Sequence, residues 1–472
     1  MFIRREVRSL EDETLKHYAI AVGKMKERPP EQPTSWWYQA AMHGIANAPK
    51  ELPLYNQCIH GSWYFLPWHR MYLYYFERIV RAAVVEAGGP EDWALPYWNY
   101  GIDNAHASIP DLFREPRSEQ NPLFVKDGDR SAGINAGGML REEIRSDELA
   151  LACEIYPGDK PRQLGGGTTH PRHRWGEFGQ LEELPHNLVH DAIGEGGWMS
   201  FLEKAAKDPI FWLHHGNIDR IWAVWSLTHE NPSDGNWLGQ EFEFFDAGGE
   251  KVTLPCRDVL DTIGNLDYTY DVIPAEEGEA PAPTPGDGKE SVFAGAADGD
   301  PKVVGASEEE VTLTGRPEAI SVALENRAQQ EVFEAARETD PRRVYLNIED
   351  IEGERNPGTV YGVYLNLPED PDEEALGEHY AGAVSFFGIE HTRKPPRDEH
   401  GHQLRYVLEV GDLLRSLGGV ERFEQEGMQV TFRPLPLLAP EGESREAFSA
   451  AAAPEEDQPP VQIGRVSLAV DG

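Results

Sequence analysis

The histidines of this chain are unevenly distributed, and six of the 16 fall into two groups of three, each embedded in aromatic sequence. The first group lies in the segments AAMHG and NQCIHGSWYFLPWHR, and the second lies in LPHNLVH and DPIFWLHHGNIDRIW. The positions are His43, His60 and His69 in the first group, and His186, His190 and one of the pair His214–His215 in the second. Imidazole groups gathered in this way are what a pair of metal sites needs.

The spacing of His186 and His190 places both imidazoles on one side of a helix, because residues four apart point in the same direction. Alone, this pair would be more typical of two surface histidines. The adjacent pair His214–His215 favours metal ligands over surface histidines, since it lies in the largely apolar segment IFWLHHGNIDRIWAVW. An imidazole on a buried helix face costs free energy unless it is paired or bound to a metal.

The first group draws its members from three different segments. His60 and His69 are too far apart for one helical turn, so we expect one from a loop and one from the helix that follows. Three imidazoles per metal, without a thiolate cluster or convergent carboxylates, favour copper or zinc. Zinc hydrolases usually place a carboxylate base beside the metal. Two matched all-imidazole sites therefore favour copper and dioxygen chemistry.

Length and charge limit the possible classes of protein. With 472 residues, two domains are expected. The chain has 43 basic and 82 acidic residues, a net charge of −39, which disfavours nucleic acid and anionic membranes as partners. Three cysteines do not make a disulfide framework, and we find no signal peptide and no membrane-spanning run. We expect a cytoplasmic or otherwise soluble protein; the oligomeric state stays open.

The chain changes character twice. Residues 1–273 read as a helical bundle, with a helix from Trp63 to Ala87, another over 180–194 and a third that opens at Asp208–Pro209. Residues 274–302 are rich in Pro, Gly, Ala and acids and read as a linker. Short β-branched and aromatic runs over 303–438 predict an antiparallel β-sandwich. Residues 439–472 read as a mobile tail, with room for a short strand at its end.

The histidine segments resemble the type-3 copper family, which comprises tyrosinases, catechol oxidases (polyphenol oxidases) and molluscan haemocyanin units. HGSWYFLPWHRMYLYYFER resembles the copper A motif, and HNLVH with DPIFWLHHGNIDRIW resembles the copper B motif. The resemblance covers roughly the first 270 residues. RRVYLNIEDI and AGAVSFFG resemble, more weakly, the C-terminal domain of plant-type polyphenol oxidases. The resemblance implies two copper ions, and ligand sets of His43, His60 and His69 for copper A and of His186, His190 and His215 for copper B.

The resemblance also implies roles for residues beside the ligands. In the family's histidine pair the second member is the ligand, which leaves His214 for packing or indirect support. Cys58, in a Cys-x-His arrangement with His60, resembles the cysteine that forms a thioether with the histidine ring in fungal tyrosinases and haemocyanins. The alternative is a small buried thiol. Plant enzymes place this cysteine elsewhere and add N-terminal disulfides, so this chain departs from them.

Glu182 and Asn187 match positions that hold a water in relatives, and that water takes the proton from a monophenol. For Glu182 the alternative is an acid in the first turn of a helix. Asp191 matches a residue that faces the substrate entrance in relatives. The alternative, which we favour, is that it is a solvated residue on the helix surface. Leu202 matches the position of a residue that restricts access to copper A in relatives, here called the gate. An ordinary leucine of the hydrophobic core is an equally good interpretation. Phe211 is expected to pack against a ligand ring.

A third set of residues is expected to be architectural. Asp219 resembles the acid that pairs with an N-terminal arginine, here Arg4 or Arg5. Tyr268 and Tyr270 resemble the tyrosine motif that closes the family's catalytic domain.

The favoured interpretation is a dicopper oxidase that uses dioxygen to ortho-hydroxylate monophenols or to oxidise o-diphenols to o-quinones. Its substrates would be dioxygen and a small phenol. In relatives the C-terminal domain covers the copper site, so a latent proenzyme is expected. The alternatives are a haemocyanin-like protein that binds dioxygen reversibly without turnover, and a dizinc hydrolase. Tyrosinase, catechol oxidase and o-aminophenol oxidase activity are not distinguished by the sequence.

Overall fold

The computed structural model describes most of the chain, in two compact units. The described residues are 1–10, 12–46, 54–157, 163–168, 178–273, 302–324, 335, 343–391, 404–417, 428–439 and 458–470. The predicted linker, apart from residue 302, and most of the predicted tail lie outside these ranges, so the domain boundaries remain predictions. The helical unit comprises Met1–Gly158, Arg162–Pro281 and Leu437–Glu441, and the β unit comprises the rest.

The helical unit confirms the mainly α-helical architecture. Its helices are α1 Asp12–Glu27, α2 Trp36–His43, α3 Phe65–Glu86, α4 Ala132–Asn135, α5 Glu142–Arg145, α6 Glu148–Leu151, α7 Leu188–Gly194, α8 Ile210–Trp225 and α9 Gly235–Gly239. Single 3-10 turns lie at Val7–Ser9, Asp111–Phe113, Trp198–Ser200, Ala205–Lys207 and Cys256–Val259. The predicted helix from Trp63 to Ala87 is α3, within two residues at either end.

Helix α8 is the centre of this unit. Every residue of it except Val224 is buried, including the polar residues His214, His215, Asn217, Asp219 and Arg220. Asp208 accepts the backbone N–H of Ile210 at 3.1 Å, and Pro209 precedes the first helical residue, so the predicted helix start is confirmed.

The predicted helix over 180–194 is interrupted. A π-helical turn over Glu182–Asn187 precedes α7, and Leu184 inside it has extended backbone angles (φ −143°, ψ 122°). Pro185 explains the interruption, because proline disfavours a helical conformation in the residue before it and lacks a backbone N–H.

Short strands complete the helical unit. β1 (Phe2–Arg4) pairs in parallel with β5 (Tyr268–Tyr270), so the start of the unit lies against its end. β3 (Glu241–Phe245) and β4 (Lys251–Pro255) form a hairpin. β2 (Met139–Leu140) pairs with β14 (Leu438–Ala439).

The β unit is one antiparallel sheet of nine described strands, which confirms a mainly β C-terminal region. The strand order is β11-β10-β13-β8-β6-β15-β9-β12, and β7 also pairs with β15. The strands are β6 Lys302–Ser307, β7 Val311–Leu313, β8 Glu318–Leu324, β9 Val344–Gly353, β10 Val360–Leu365, β11 Tyr380–Val384, β12 Leu404–Glu409, β13 Met428–Leu435 and β15 Val461–Val470. Helices α10 (Glu373–Glu378) and α11 (Gly411–Ser416) and a 3-10 turn at Ile389–His391 lie between strands.

The predicted tail over 439–472 ends in a strand, for which the prediction left room, but this strand is longer than expected. β15 is ten residues long and pairs with β9 and β6 on either side, so it lies inside the sheet. Its last five residues, 466–470, are all buried. A strand that is covered on both faces does not alternate between apolar and polar residues, which removed the pattern that identified the other strands.

Among the helices that the structure describes, none is both long enough and apolar enough to cross a membrane.

Candidate metal centre

The three histidines of the first group come together in the helical unit. His43 is the last residue of α2, His60 lies in the loop before α3, and His69 lies in the second turn of α3. The division into one loop residue and one helix residue is therefore confirmed. One ring nitrogen of each lies within 4.8 Å of the others, and all three side chains are buried. The group has the donor type and the spacing of a metal site.

The second group contains four imidazoles in the structure. His186 comes from the π-helical turn, His190 from α7, and both His214 and His215 from α8. Their ligand nitrogens also lie within 4.8 Å of one another, and all four side chains are buried. Proximity alone therefore does not decide between His214 and His215.

The surroundings of the two α8 histidines differ. The His215 ring stacks on His69 of the first group, with 4.5 Å between ring centroids and 10° between planes. Both histidines lie beside His186 and His190, and the Nδ1 of His214 is 3.1 Å from the Tyr100 hydroxyl. His215 thus faces the space between the two groups, which supports its assignment as the ligand.

Backbone carbonyls fix the direction of three of these histidine rings. His43 donates from Nδ1 to Leu202 O at 3.1 Å, and His69 does so to Phe65 O at 2.8 Å. His190 donates from Nδ1 to Met199 O at 2.8 Å. A carbonyl oxygen only accepts, so each Nδ1 carries the ring hydrogen and Nε2 carries the lone pair. This is the tautomer that binds a metal through Nε2.

The fourth such contact is a side-chain one. His186 Nδ1 lies 2.8 Å from the amide oxygen of Asn187, which likewise leaves the lone pair on Nε2. Asn187 therefore orients a ligand ring in this structure. Its predicted part in holding a water remains a prediction.

The buried imidazoles are held neutral, as metal ligands must be. Burial, assisted by neighbouring histidines, holds the pKa of His69, His190 and His215 well below the usual value. Burial likewise lowers the pKa of His186 to about 3. A protonated ring would be buried among other imidazole rings, so protonation at this site would cost free energy.

The spacing of the nitrogens fits a bound ion. His190 Nε2 and His215 Nε2 are 3.4 Å apart. Two imidazole nitrogens bound to one ion in tetrahedral geometry, each at about 2.05 Å, would lie about 3.3 Å apart. His69 Nε2 is buried and has no hydrogen-bond partner among the described residues, a state that costs free energy unless an ion binds there. The residues thus fit one metal ion in each group.

Glu182 connects the two groups. Both of its carboxylate oxygens accept the backbone N–H of Gly61, the residue after His60, at 3.1 and 2.9 Å. Glu182 itself begins the turn that carries His186. It is buried, and burial raises its pKa well above the usual value. Glu182 thus lies in the first turn, as the alternative has it, and is also buried against Gly61; its part in the chemistry remains a prediction.

The other predicted residues lie close to the two groups. Phe211 packs against ligand rings, with centroids 4.9 Å from His43 and 4.2 Å from His215, which confirms that prediction. Asp191 is buried, so the favoured interpretation of it as a solvated helix residue is wrong. Its role at a substrate entrance stays a prediction. The Leu202 side chain is also buried, and its role as a gate stays a prediction.

Cys58 is buried and forms no disulfide with a described residue, and the same holds for Cys153 and Cys256. Burial raises the pKa of the Cys58 thiol well above the usual value, so it is protonated at neutral pH before any reaction. A thioether to His60 remains a prediction.

A buried ionic cluster supports α8 one turn beyond His215. Asp219 accepts from Arg4 at 3.1 Å and from Arg70 at 2.5 Å. Tyr268 and Tyr270 both donate to the same Asp219 oxygen. Burial opposes ionisation of Asp219, but the two arginines outweigh it and hold its pKa below the usual value. The predicted pairing with an N-terminal arginine is confirmed, and the partner is Arg4.

Several supporting residues were not predicted. Tyr100 contacts His214, while the carbonyls of Met199 and Leu202 orient ligand rings. Backbone carbonyls leave no signal in a sequence, because every residue has one.

Comparison with known proteins supports the same conclusion. Residues 33–151 and 154–228 match the family described as the common central domain of tyrosinase, and residues 231–279 match the polyphenol oxidase middle domain. Residues 300–470 match a domain of unknown function.

Curated relatives match over most of their length. Tyrosinase HcTyr1 of Hahella sp. (strain CCB-MM4) is 33% identical over 92% of this chain and 95% of its own. A chloroplastic polyphenol oxidase of Malus domestica is 29% identical over 88% of this chain and 72% of its own.

Two solved structures share the fold over nearly the whole chain. The structure of latent apple tyrosinase aligns with a TM-score of 0.59 at 22% identity, covering 100% of this chain and 97% of that one. Recombinant mushroom tyrosinase aligns with a TM-score of 0.54 at 16% identity, covering 98% and 96%. Together with the two histidine groups, these matches show that the chain belongs to the tyrosinase and polyphenol oxidase family of type-3 copper oxidases.

Proposed function

We propose that this protein is a dicopper oxidase that uses dioxygen to oxidise small phenols. Copper A would be held by His43, His60 and His69, and copper B by His186, His190 and His215. The observation that carries the proposal is the stacking of His69 on His215, because it brings one member of each group to a shared space. The curated relatives named as a tyrosinase and a polyphenol oxidase support the same chemistry.

Two copper ions in these sites would supply the reduction of dioxygen. With o-diphenols, two substrates give up four electrons and four protons to one dioxygen, and the products are two o-quinones and two waters. With a monophenol, one substrate and one dioxygen give an o-quinone and one water. The second reaction needs a group that accepts the phenol's proton before the ring is attacked.

Glu182 is the group that we assign to this proton. In the absence of ions, burial raises the pKa of Glu182 and favours the protonated form, whereas two nearby cations would favour the carboxylate. Its contact with Gly61 N would hold the carboxylate in place, and Asn187 would orient an adjacent water. Asp191 and Leu202 are proposed to line the approach of the substrate.

The aromatic side chains around the site would exclude bulk water. Phe65 and Phe211 both pack against ligand rings, and both are buried. Exclusion of water strengthens the interactions of charged groups inside the site and protects the reactive product. Trp68, whose ring centroid lies 4.8 Å from that of His69, extends the same apolar wall.

Two further properties belong to this proposal. Cys58 is proposed to form a thioether with His60, which would fix the ring in one orientation. The C-terminal region is proposed to hold the enzyme latent until the chain is cut in the segment 274–302. Solved relatives described as latent apple tyrosinase and latent aurone synthase support the proposal of latency.

Oxygen uptake by the copper-loaded protein tests the proposed function. Tyramine and catechol would be offered separately, and metal-free protein would correct for spontaneous oxidation. Uptake with both substrates would identify a tyrosinase, and uptake with catechol alone would identify a catechol oxidase and remove Glu182 from its proposed role. Absence of uptake with either, before and after cleavage of the linker, would contradict the proposal and favour reversible binding of dioxygen or another metal.

A further inference from the structure

One short segment orients a ligand from each copper site. It comprises residues 199–202, which we term the bridging segment, between α7 and α8. The carbonyl of Met199 accepts from His190 Nδ1 at 2.8 Å, and the carbonyl of Leu202 accepts from His43 Nδ1 at 3.1 Å. His190 belongs to the copper B set and His43 to the copper A set. Both carbonyl-bearing residues are buried.

These two contacts set the direction of the metal-binding nitrogens. Nδ1 and Nε2 lie on opposite sides of the imidazole ring, so a fixed Nδ1–H bond fixes the line along which Nε2 points. Because the two acceptors are only three residues apart on one segment, their separation changes little. The relative placement of His43 and His190 therefore depends on the same few peptide groups.

Glycines let both ligand-bearing helices approach this segment. Gly44 directly follows His43, and a Cβ on it would lie 2.3 Å from the Leu202 carbonyl oxygen. Gly194 is the last residue of α7, the helix of His190, and a Cβ on it would lie 2.4 Å from the backbone nitrogen of Ser200. These distances are shorter than non-bonded atoms tolerate, so neither position accepts a side chain without movement of the segment.

Local hydrogen bonds make the segment stiff. Ser200 N donates to Gly197 O at 3.1 Å, and Phe201 N donates to Trp198 O at 3.1 Å. The Ser200 hydroxyl accepts the backbone N–H of Gly196 at 3.0 Å. A stiff segment transmits a displacement at one end to the other, instead of absorbing it.

We infer that the bridging segment is a positioning element that couples the two copper sites, so that a displacement or weakening of either of its two carbonyls weakens copper binding at both sites. The inference rests on the proposed dicopper function. It concerns backbone atoms and the two glycines that allow them to approach, and it assigns none of these residues a direct part in the chemistry.

The test uses Gly44→Ala in the full-length protein, and copper per chain is measured after dialysis against a fixed concentration of chelator. Gly235→Ala is the matched control, because a Cβ there meets nothing within 4 Å. Wild type and control should retain both ions, whereas Gly44→Ala should lose both. Retention of one ion or of two by Gly44→Ala would overturn the coupling. Failure of the wild type to bind two ions would instead overturn the proposed function.

A second arm isolates the distant site. In a His69→Ala background, which leaves only the copper B set complete, Gly44→Ala should weaken binding of the remaining copper about 10- to 100-fold by chelator competition. Unchanged affinity there would overturn the inference. Circular dichroism would verify that each variant is folded.

If Gly44→Ala does not fold, the peptide bond between Leu202 and Glu203 can be replaced by an ester, which weakens the Leu202 carbonyl as an acceptor without adding bulk. The ester variant should lose both ions, and loss of the copper A ion alone would overturn the coupling.

Discussion

Gly61 donates its backbone N–H to both carboxylate oxygens of Glu182, at 3.1 and 2.9 Å. One partner follows His60, a proposed copper A ligand, and the other begins the turn that carries His186, a proposed copper B ligand. This carboxylate thus has a structural role in addition to its proposed role as proton acceptor. The two roles can be separated, because the hydrogen bond needs only an oxygen, whereas proton transfer needs a base.

Glu182→Gln should separate them. The amide retains an oxygen that can accept from Gly61, so both copper ions should stay bound. Activity with tyramine should fall about 100-fold or more, since the general base is lost, while activity with catechol should change little. Steady-state oxygen uptake measures both, and Glu183→Gln is the control. Equal losses with both substrates would assign Glu182 to structure alone.

His190→Ala should remove one of the two copper ions. The substitution deletes a nitrogen of the copper B set but leaves the first group of histidines complete. Metal analysis after desalting should give one copper per chain, against two for the wild type. His229→Ala, which changes a histidine outside both groups, should retain two. Two ions retained in His190→Ala would refute the ligand assignment.

A thioether between Cys58 and His60 should remove two hydrogen atoms from the copper-loaded protein. Both residues lie in one tryptic peptide, residues 51–70, so mass spectrometry would detect the loss in that peptide. In denatured protein, Cys153 and Cys256 should react with an alkylating reagent and Cys58 should not. Metal-free protein gives the matched control. A Cys58 peptide of unmodified mass that also accepts the reagent would end this hypothesis.

Cleavage within residues 274–302, followed by removal of the C-terminal fragment, should raise turnover several-fold. The expected cause is better access of the phenol to the copper ions. A protease site placed in the segment allows oxygen uptake to be compared before and after the cut, and a variant without the site controls for the protease. Turnover that stays the same after the fragments are separated would argue against latency.

The lowered pKa of Lys26 predicts that the free energy of unfolding depends on pH. Burial lowers its pKa from 10.5 to about 8, although Asp208 opposes the shift in part. The unfolded chain then binds the proton more tightly than the folded protein, so the free energy of unfolding should rise as pH increases from about 8 to about 10.5. At pH 7 the buried ammonium costs about 1 to 3 kcal/mol, after allowance for partial exposure.

Lys26→Met should therefore be as stable as the wild type at pH 7, or more stable. The lost hydrogen bond from Lys26 Nζ to Pro122 O, 2.7 Å long, offsets about 1 kcal/mol of the gain. The advantage should shrink at pH 10. Urea denaturation at both values measures the difference, and Lys16→Met, an exposed position on the same helix, is the control. A difference that is equal at both pH values would contradict the assigned pKa.

The sequence predicted the parts of the fold that depend on side-chain pattern. Helix α3, the start of α8 at Asp208, and the presence of antiparallel strands over 303–438 follow from apolar periodicity and turn residues. The six candidate ligands could be identified from the sequence because histidine is uncommon in apolar segments. The sequence predicted that Asp219 pairs with Arg4 or Arg5, and the structure shows that the partner is Arg4.

The parts that were missed depend on the backbone or on long-range pairing. The two carbonyls of the bridging segment involve peptide groups that every residue has, whereas the interruption at Leu184 follows from Pro185, which the sequence does show. Strand β15 follows an acidic, proline-containing stretch, and its long-range partners β6 and β9 determine its place. The burial of Asp191 likewise depends on packing around α7, which its local sequence does not report.

The parallel pairing of β1 with β5 brings the start of the helical unit beside its last strand, with Phe2 opposite Tyr268. Domains whose ends meet commonly tolerate circular permutation and fusion at that point. Here the same corner contains Arg4 and Tyr270, which both contact Asp219 on the helix of His215. A tag or fusion partner attached at this corner would therefore strain the helix that carries His215. A probe for spectroscopy is better attached at a site such as Gly235, where an added Cβ meets nothing within 4 Å.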